Sequence, residues 1–556
     1  MRPFVALRLA MITSILVPIA LALISPIVFF FLRILYRNWT SPLHFVDGPA
    51  CSNIILGHSN LIVDVPTITD EWREKFGATF MAKGFFGENE LHTKDVKAVA
   101  HMVSRGATYQ RTTSSLAQVT RLLGEGLLSV EHDPHKRQAS VSYARRVLNP
   151  AFGVAQVRIM NEVFIEKGNM LRDLLLEEIK KGSGTGIVDL SGWLSQVTLD
   201  IIGQAGFGYQ FNSMESRGKD EAELSTVVRS LLHSPNANVY QTVQVAQAVL
   251  PVLQFVPLPG SQIIRLAQTK LRSIGKQLMH KFKRESVAAA AEKDLGKDRN
   301  LLALLIKANM SSDVPASQRL SDEEVISQIP TFFLAGHETT STALSWAVHA
   351  LSQHPEIQEQ LRQELFSLPT DHPTMDELNA LPFLENFIRE SMRLYAPAVF
   401  IQRMASQDDV LPLAKPYVDR QGVSHDTLPI RKGQVFTIPI LAINTDKETW
   451  GEDALEFKPD RWDNLPEAVH SVPGVWANQM TFFAGSHNCI GFRFSLVEQK
   501  AILFTLLRTF EFSPGAKSIM PIISNVLQRP VAFEAGKTGL VSTGKFPVML
   551  KEYTGE

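Results

Sequence analysis

A single long helical pattern near the middle of this 556-residue chain constrains its fold more than any other feature. Ser321-Asp322-Glu323-Glu324 has the residues of a capping box, in which the Ser and the later Glu side chains satisfy free backbone N–H groups. The apolar pattern continues to about Leu351, which predicts a helix of roughly 30 residues, kinked at Pro330, against a usual mean of about 11 to 12. A helix of that length must cross a whole domain, so the rest of the fold has to be built around it.

The remaining periodicity predicts a mostly α protein with small β-sheets. Apolar spacing indicates further helices over four segments: Phe152–Lys181, Leu190–Ala205, Ser261–Ala291 and Leu381–Leu394. Short apolar runs near Asn53–Ile62 and Val435–Ile443 are typical of strands. No internal repeat or low-complexity segment interrupts the body of the chain.

Charge and cysteine content exclude several classes of protein. The formal net charge is −1, and no block of like charge could hold a nucleic-acid backbone, so no nucleic-acid partner is expected. The two cysteines, Cys51 and Cys489, are too few for a disulfide scaffold in a chain of this size. Their rarity suits a reducing compartment.

The amino-terminal region carries an uncharged apolar run, Leu9–Leu32, of about the length that crosses a bilayer as a tilted helix. A cleaved signal peptide is the alternative, because Ala20-Leu21-Ala22 resembles a cleavage site. The apolar run continues past that site to Phe31, which favours an uncleaved anchor. Arginines flank the run almost equally, so charge does not decide the orientation: Arg2, Arg8, Arg33 and Arg37.

The middle of the long helix has an unusual composition. Ala335-Gly336-His337-Glu338-Thr339-Thr340 combines a glycine with two β-branched residues, and the glycine alone costs up to about 1 kcal/mol relative to alanine. Two interpretations remain open. The segment is either a packing glycine beside a solvated acid, or a local opening that makes room for a ligand and supplies polar hydrogens.

Cys489 lies in a glycine-containing segment, Phe482–Gly491, directly before a predicted helix. The apolar positions of that helix are Phe494, Val497, Ala501, Leu503 and Leu507. A helix N-terminus favours thiolate over thiol, and Gly485 and Gly491 permit tight turns and close approach of a flat ligand. A lone cysteine is usually a small buried hydrophobe, but these flanking residues argue for a ligand here.

Two weaker signals precede the cysteine segment. Glu390 and Arg393 share one face of a predicted helix, which alone indicates an ordinary surface ion pair. Arg461 lies in Phe457-Lys458-Pro459-Asp460-Arg461-Trp462, where proline and aromatic residues indicate a fixed irregular segment rather than a linker.

In this order and spacing, the four segments resemble those of the cytochrome P450 family, and fungal members in particular, over essentially the whole chain after the apolar run. The resemblance implies the cytochrome P450 fold preceded by one N-terminal transmembrane helix. Matching residues of the haem-binding loop are Phe482, Gly485, Cys489 and Gly491. Matching residues of the oxygen-activating helix are Ala335, Gly336, Glu338, Thr339 and Thr340.

The resemblance also implies a cofactor and a role for each residue. Haem b would be bound with the Cys489 thiolate as axial ligand to the iron, an arrangement that favours O–O cleavage. Glu338 and Thr339 would be catalytic, holding a water and relaying protons. Glu390, Arg393 and Arg461 would form a structural triad that locks the cysteine loop. The other implied haem contacts are Phe482, Gly485, His487, Gly491, Arg403 and His135.

The activity implied is that of a monooxygenase that inserts one atom of dioxygen into a lipophilic organic substrate. Electrons would come from NADPH through NADPH–cytochrome P450 reductase, with cytochrome b5 as a further candidate donor. The resemblance places the chain in the endoplasmic reticulum membrane as a single-pass protein with a cytosolic catalytic domain. The expected divisions are a luminal N-terminus at 1–8, the anchor at 9–32, a proline-containing linker at 33–50 and the haem-binding catalytic domain at 51–556.

The chain departs from the family pattern in two places. His487 stands where the family usually has arginine, so weaker charge pairing with a haem propionate is expected. Six residues, Ala139–Ala144, interrupt a segment that resembles the haem-facing early helix and would rotate the later part by about 240° in a continuous helix. Either His135 or Arg145 would then be misplaced, and deletion of the six residues is expected to improve haem occupancy. Equal or lower occupancy would refute that hypothesis.

Two other functions are alternatives to the monooxygenase. A haem-thiolate isomerase or dehydratase that needs no reductase is disfavoured because Glu338 and Thr339 are present. A haem sensor or decayed enzyme has only the Ala139–Ala144 insertion in its support. The substrate cannot be identified from the sequence. Terpenoids, fatty acids and polycyclic aromatics fit a membrane-anchored enzyme of secondary metabolism or xenobiotic oxidation. Specificity is expected from four segments: Lys83–Met102, Phe211–Val239, Phe400–Gln402 and Ile522–Val526.

Overall fold

The computed structural model describes residues 2–51, 53, 55–58, 68–124, 126–129, 131, 145, 148–181, 186–216, 247, 261–292, 301–302, 321–524, 526–536 and 539–555. Helices occupy Arg2–Thr40 (α1), Ile68–Phe76 (α2), Val96–Ser104 (α3), Thr113–Leu123 (α4), Val154–Lys181 (α5), Leu190–Ile201 (α6), Ser261–Glu292 (α7), Asp322–Gln353 (α8), Pro355–Phe366 (α9), Met375–Asn379 (α10), Pro382–Leu394 (α11), Ile440–Asn444 (α12), Lys447–Trp450 (α13) and Phe492–Leu507 (α14). The fold is therefore mostly α, as the sequence predicts.

The strands form small sheets in the described part of the chain. They occupy Thr79–Lys83 (β1), Asn89–Thr93 (β2), Tyr109–Gln110 (β3), Ile187–Asp189 (β4), Ile401–Ala405 (β5), Asp409–Val418 (β6), Ser424–Ile430 (β7), Val435–Ile438 (β8), Phe510–Pro514 (β9), Ile519–Ser524 (β10), Leu527–Gly536 (β11), Gly539–Ser542 (β12) and Pro547–Glu552 (β13). The five-stranded sheet has the order β1-β2-β8-β5-β3, with β2 and β8 parallel and the other neighbours antiparallel. The smaller sheets are β10-β11-β12, β4-β13-β9 and β6-β7.

The long helix α8 begins at the predicted cap and organises the helical core. Ser321 Oγ accepts a hydrogen bond from the Glu324 backbone N–H, and the Glu324 carboxylate accepts one from the Ser321 N–H at 2.7 Å. The helix runs through Pro330 without interruption and packs against α6, α7, α11 and α14. Its surface is buried almost all round from Val325 to Ser352, which is the expected condition of a helix at the centre of a large core.

Two predicted helices differ from the observed ones at one end. The helix predicted from Phe152 begins at Val154, because Gly153 is extended and Asn149–Phe152 forms a separate 3-10 turn. The helix predicted to reach Ala205 is α-helical only to Ile201 and widens into a π-turn over Ile202–Gly206. Ser261–Glu292 and Pro382–Leu394 agree with prediction to within one residue.

The prediction of a strand near Asn53–Ile62 is wrong for its described residues, which form a turn at 55–58. The Asn53 side chain accepts hydrogen bonds from the N–H groups of Ile55 and Leu56, and Gly57 has φ +60°. An asparagine that bonds to the backbone ahead of a left-handed glycine is a strong turn signal, and it outweighs the apolar composition. The second predicted strand is shorter than expected, because β8 ends at Ile438 and Ile440–Asn444 is helical.

The first helix, α1, extends from Arg2 to Thr40 and includes the whole predicted anchor. Its C-terminal end lies against the segment that connects β1 and β2. Arg37 forms an ion pair with Glu88 at 2.9 Å, and the Asn38 amide donates to the Gly87 carbonyl at 2.7 Å. A search of the described residues found no helix that combines the length and the apolar character needed to cross a membrane.

Candidate functional site

The cysteine segment folds as a tight loop between the five-stranded sheet and α14. Short 3-10 turns at Met480–Phe482 and Gly485–His487 precede Cys489, and α14 begins three residues after it. The Cys489 N–H donates to the Phe482 carbonyl at 2.8 Å, which closes the loop on itself. The loop therefore presents Cys489 just before a helix N-terminus, as the sequence predicts.

The Cys489 side chain is exposed although it lies deep within the protein. Burial within the protein raises the pKa of the thiol, while the Gly491 N–H and the Arg145 guanidinium lower it. A side chain with both properties faces an opening inside the molecule rather than the outer surface. A thiol there can be held as thiolate only with help from a ligand that neutralises its charge, such as a metal ion.

The two glycines of the cysteine loop, Gly485 and Gly491, differ in their surroundings. Gly485 has φ +64°, and a Cβ there would lie 2.5 Å from the Val103 carbonyl oxygen in α3, so a side chain is excluded by the protein itself. A Cβ on Gly491 would meet only the Phe152 ring, at 3.7 Å, and its backbone needs no glycine. Of the two predicted contacts, Gly485 is explained by packing, and Gly491 leaves space on the open side of the loop.

The middle of α8 is continuous helix, and it faces open space at two positions. Ala335 is exposed and Thr339 is half-exposed, although the helix is buried before and after them. A Cβ on Gly336 would lie 3.0 Å from the Ile202 side chain, so this glycine allows α8 to pack on the π-turn. Of the two interpretations, the packing glycine is confirmed for Gly336, but the solvated acid beside it is wrong, because Glu338 is buried. Ala335 and Thr339 face open space without any break in the helix.

Glu338 lies on the buried side of α8. Its carboxylate is 3.2 Å from His337 Nε2, which is also 3.2 Å from the Ser195 hydroxyl of α6. The Thr339 hydroxyl donates to the Ala335 carbonyl at 2.7 Å, one turn back along the helix. The structure thus places the two predicted catalytic residues on adjacent faces of α8, with Thr339 toward the opening.

Positively charged side chains lie beside the cysteine loop. Arg403 is 7% exposed, and in the described part of the chain its one hydrogen bond is donated to the Gln402 carbonyl at 2.8 Å. Burial lowers the pKa of Arg403 to about 9, which leaves the guanidinium charged at neutral pH. A buried cation with most of its donors unused is costly unless an anion completes the site.

Arg111 and His487 share one carboxylate in the same region. Glu131 accepts from Arg111 at 2.9 Å and lies 3.2 Å from His487 Nε2. Burial lowers the pKa of His487, and so do the charges of Arg403 and Arg111, whereas Glu131 raises it. The histidine is thus neutral at pH 7, and it lacks the permanent charge of the arginine expected at this position.

These charges test whether haem b fits the site. Arg111, Arg145 and Arg403 carry three positive charges and Glu131 one negative charge, which leaves two positive charges beside the Cys489 loop. Haem b carries two carboxylates, so the residues present match it in charge as well as in the chemistry of the thiol. The fit does not require His487 to be charged.

Arg145 reaches the loop itself. One of its amino groups donates to the Asn488 carbonyl at 2.7 Å and another contacts the Asn488 side-chain oxygen. His135 and the Ala139–Ala144 insertion lie outside the described residues. Of the two residues predicted to be in conflict, the structure describes Arg145 alone and places it next to the residue that precedes Cys489.

The predicted triad is a buried cluster rather than a surface ion pair. Glu390 and Arg393 have no exposed side-chain surface, and Arg393 donates to both carboxylate oxygens at 2.8 and 2.9 Å. Arg461 Nε donates to Glu390 at 3.2 Å. Arg393 also donates to the carbonyls of Asn444 and Ala454, so the cluster ties α11 to the irregular chain that leads to the cysteine loop.

Sequence reasoning missed three residues of this region. Arg111 and Glu131 lie in segments without a distinctive pattern, and only their convergence on His487 in space reveals them. Glu498 on α14 is fully buried, and its carboxylate oxygens have no hydrogen-bond partner among the described residues. The signal available for Glu498 was an acid on an otherwise apolar helix face.

A cavity of about 1510 Å³ lies on the other side of the five-stranded sheet. Its described lining includes Arg33 of α1 and the predicted specificity segments Phe400–Gln402 and Ile522–Val526, through Phe400, Gln402, Ile523 and Val526. Neither Cys489 nor the middle of α8 is among its described lining residues. The described lining of this cavity therefore does not include the space directly beside Cys489.

Comparison with known proteins agrees with these features. The family model described as Cytochrome P450 matches residues 69–535. Cytochrome P450 monooxygenase 205 of Postia placenta is 42% identical over 521 residues, which cover 92% of this chain and 94% of the relative. Cytochrome P450 monooxygenase 128 of the same fungus is 43% identical over 487 residues, covering 86% and 88%. Ganoderic acid synthetase of Ganoderma lucidum is 33% identical over 483 residues, covering 81% and 84%.

Proposed function

This chain belongs to the cytochrome P450 family, and from that premise we propose that it is a haem-thiolate monooxygenase that inserts one atom of dioxygen into a lipophilic organic substrate. The observation that carries the proposal is Cys489, a thiol that faces an interior opening at a helix start beside a surplus of buried arginine charge. No other described part of the chain combines these features. The fungal relatives named as monooxygenases support the same reaction class.

Binding of haem would be divided among several groups. Cys489 would hold the iron, and the Gly491 N–H would donate to the sulfur and moderate its charge. Arg403, Arg111 and Arg145 would take the two carboxylates, with Glu131 holding Arg111 and His487 in place. When bound, haem supplies the site of dioxygen binding, and the thiolate favours cleavage of the O–O bond.

Residues of α8 would transfer protons to the site. Thr339 Oγ, which already donates to the Ala335 carbonyl, has lone pairs free to accept a hydrogen bond from a water in the opening. The Glu338 carboxylate, buried beside His337, would hold the next proton in line. General acid catalysis of this kind typically contributes about 10²- to 10⁴-fold to a rate.

Membrane attachment is part of the proposal. The described side chains of the second half of α1 are mostly apolar and exposed, and Trp39 and Tyr36 at its end are 80% and 65% exposed. Aromatic residues at the end of an apolar helix suit the water–lipid boundary. We assign residues 9–32 as a single-pass anchor of the endoplasmic reticulum membrane, with residues 1–8 luminal, 33–50 as a linker and 51–556 as the cytosolic catalytic domain.

The electron donor and the substrate class are further parts of the proposal. Electrons would come from NADPH through NADPH–cytochrome P450 reductase, with cytochrome b5 as a second donor. The lipophilic substrate would reach the site from the membrane side, where Arg33 and Phe30 of α1 line the 1510 Å³ cavity. Terpenoids are the first class to test, because one relative is named ganoderic acid synthetase.

The test is turnover by the full chain in membranes that contain the reductase. Lanosterol, lauric acid and pyrene represent the three candidate classes, and isotopically labelled dioxygen reports the reaction. A product that carries one labelled oxygen and forms only with NADPH supports the proposal. A product formed without NADPH or dioxygen would instead identify an isomerase or dehydratase. Thr339→Ala should lower product formation while NADPH consumption continues.

A further inference from the structure

We propose that Phe483 is a positioning residue whose aromatic ring holds the Arg403 guanidinium in the orientation that binds a haem carboxylate. The inference rests on the proposed haem function and extends it to a residue that contacts neither the iron nor the thiol. Three observations support it: the unusual backbone conformation of Phe483, the contact between its ring and the guanidinium, and the position of Arg403 on the sheet.

The backbone of Phe483 adopts a conformation that side chains disfavour. Its φ is 54° and its ψ is −160°, a region occupied almost only by glycine. Two hydrogen bonds hold it there, because its N–H donates to the Met480 carbonyl at 2.8 Å and its carbonyl accepts from the Val475 N–H at 3.0 Å. A bulky residue at such a position indicates that the side chain performs a task that glycine could not.

The ring of Phe483 lies against Arg403. The guanidinium carbon is 5.0 Å from the ring centroid, within the range of a cation–π contact, and both side chains are 7% exposed. Such contacts are strongest where water is excluded. Arg403 has no acidic hydrogen-bond partner in the described part of the chain, so the ring face and the more distant charge of Glu131 are its electrostatic support on this side.

The sheet places Arg403 on the correct face for this role. Gln402 and Arg403 are neighbours on β5, so their side chains point to opposite faces. Gln402 lines the 1510 Å³ cavity, whereas Arg403 lies on the face of the cysteine loop, near Arg111 and Glu131. A guanidinium held in place by a ring keeps its remaining N–H groups available, and two of them can bind a carboxylate side by side.

Packing alone is the alternative explanation, because Phe483 also belongs to the apolar cluster with Tyr109 and Phe436. A leucine or methionine would fill the same space and would have the same unfavourable φ, but neither side chain has an aromatic face. The two explanations therefore differ in what a non-aromatic residue of similar size would do to Arg403. Packing predicts an effect independent of Arg403, and the ring contact predicts one that depends on it.

The experiment measures the rate of haem loss from the full-length protein to excess apomyoglobin. Phe483→Leu is expected to accelerate loss between about twofold and thirtyfold, and Phe483→Tyr, which keeps the ring, to leave it close to wild type. In an Arg403→Gln background, Phe483→Leu should add little further acceleration. Phe86→Leu is the matched control, because Phe86 also has a positive φ, of 58°, and packs on Phe30 and Phe31 of α1.

Equal acceleration by Phe483→Leu in the wild-type and Arg403→Gln backgrounds would overturn the proposal in favour of packing. So would rapid haem loss from Phe483→Tyr, or no acceleration from Phe483→Leu beyond that of Phe86→Leu. If the leucine variant does not accumulate, Phe483→Met takes its place with the same expectation. A wild type that holds no haem would refute the proposed function, whereas a haem-binding wild type with an additive cycle would refute only the role of Phe483.

Discussion

Glu390 accepts hydrogen bonds from four other residues although its side chain has no contact with solvent. Arg393, Arg461 and the Trp462 indole donate to its carboxylate, together with the Lys458 backbone N–H. A charge in such a place is stable only because every lone pair is used. The geometry supports a structural role, since these groups bond to one another and Arg393 also bonds to the carbonyls of Asn444 and Ala454.

Replacing Glu390 by glutamine should destabilise the protein by about 3–5 kcal/mol, because the neutral amide leaves the charge of Arg393 without a counter-ion. Chemical denaturation measures this change. Asp376→Asn, which removes one partner of an exposed ion pair with Arg158, serves as the control and should have a far smaller effect. A small effect of both substitutions would contradict the assignment of Glu390 to a buried structural triad.

Glu498 is the opposite case, a buried acid on α14 without a hydrogen-bond partner among the described residues. Burial raises its pKa well above the ordinary value of 4.5, and the nearby Thr340 hydroxyl lowers it in part. Thr340 in turn shares a hydrogen bond of 3.0 Å with Ser495, so Glu498 lies where α8 meets α14. The carboxyl is therefore expected to keep its proton to a higher pH in the folded protein than an ordinary glutamate does.

The stability of the protein should depend on this proton. Because the folded pKa is raised, the contribution of Glu498 is fully present below about pH 4.5 and is lost as the pH rises toward the folded value. Glu498→Gln mimics the protonated form, so its thermal midpoint relative to wild type should increase as the pH rises above 4.5. A constant difference across that range would show that Glu498 does not titrate differently on folding.

At the scale of elements, the cysteine loop depends on the close approach of α3. Gly485 lies against the Val103 carbonyl, and Gly491 faces the Phe152 ring at an ordinary contact distance. Two glycines six residues apart thus serve different purposes. The sequence alone could identify both as loop glycines, but only the structure separates the one that a neighbouring backbone requires from the one that it does not.

Gly485→Ala should therefore destabilise the protein by roughly 1–3 kcal/mol or more, since it combines a positive φ with a backbone clash. Gly491→Ala should change the free energy of unfolding by less than Gly485→Ala while reducing haem content, because its added methyl group occupies space on the open side of the loop. Thermal unfolding and the haem-to-protein absorbance ratio measure the two effects. An equal loss of stability in both variants would contradict this division.

The sequence predicted an element well where the residues that determine the element are close together in the chain. The capping box of α8 and the apolar faces of α5, α7 and α11 are local signals, and the helices begin and end within two residues of expectation. The turn after Asn53 and the π-turn after Ile201 were missed, because each depends on a local polar bond or on packing that apolar spacing does not encode. Cys489 was identified from its flanking residues, whereas Arg111 and Glu131 meet only through tertiary structure.

At the scale of the whole molecule, α1 joins an apolar segment to the catalytic body. Arg37 and Asn38 contact the β1–β2 connection, and Phe30 and Phe31 each pack edge-to-face on Phe86. The end of α1 thus forms one wall of the 1510 Å³ cavity, and membrane attachment and substrate access would be linked in space.

Deletion of residues 1–32 should release the protein from cell membranes into the soluble fraction after alkaline carbonate washing, because the proposed anchor is removed. Deletion of residues 1–8 is the control and should leave the protein membrane-bound. If the mature chain instead begins after Ala22, mass measurement of its N-terminus would identify a cleaved signal peptide and exclude the anchor.

The central claim is that the Cys489 thiolate binds haem iron, and the carbon-monoxide difference spectrum of the reduced protein tests it most directly. Wild type should give a thiolate-type Soret band, and Cys489→Ala should lack it. Cys51→Ala, which replaces the other cysteine, should leave the band unchanged. Bound haem without this band in the wild type, or the same band in Cys489→Ala, would contradict the assignment of Cys489 as the axial ligand.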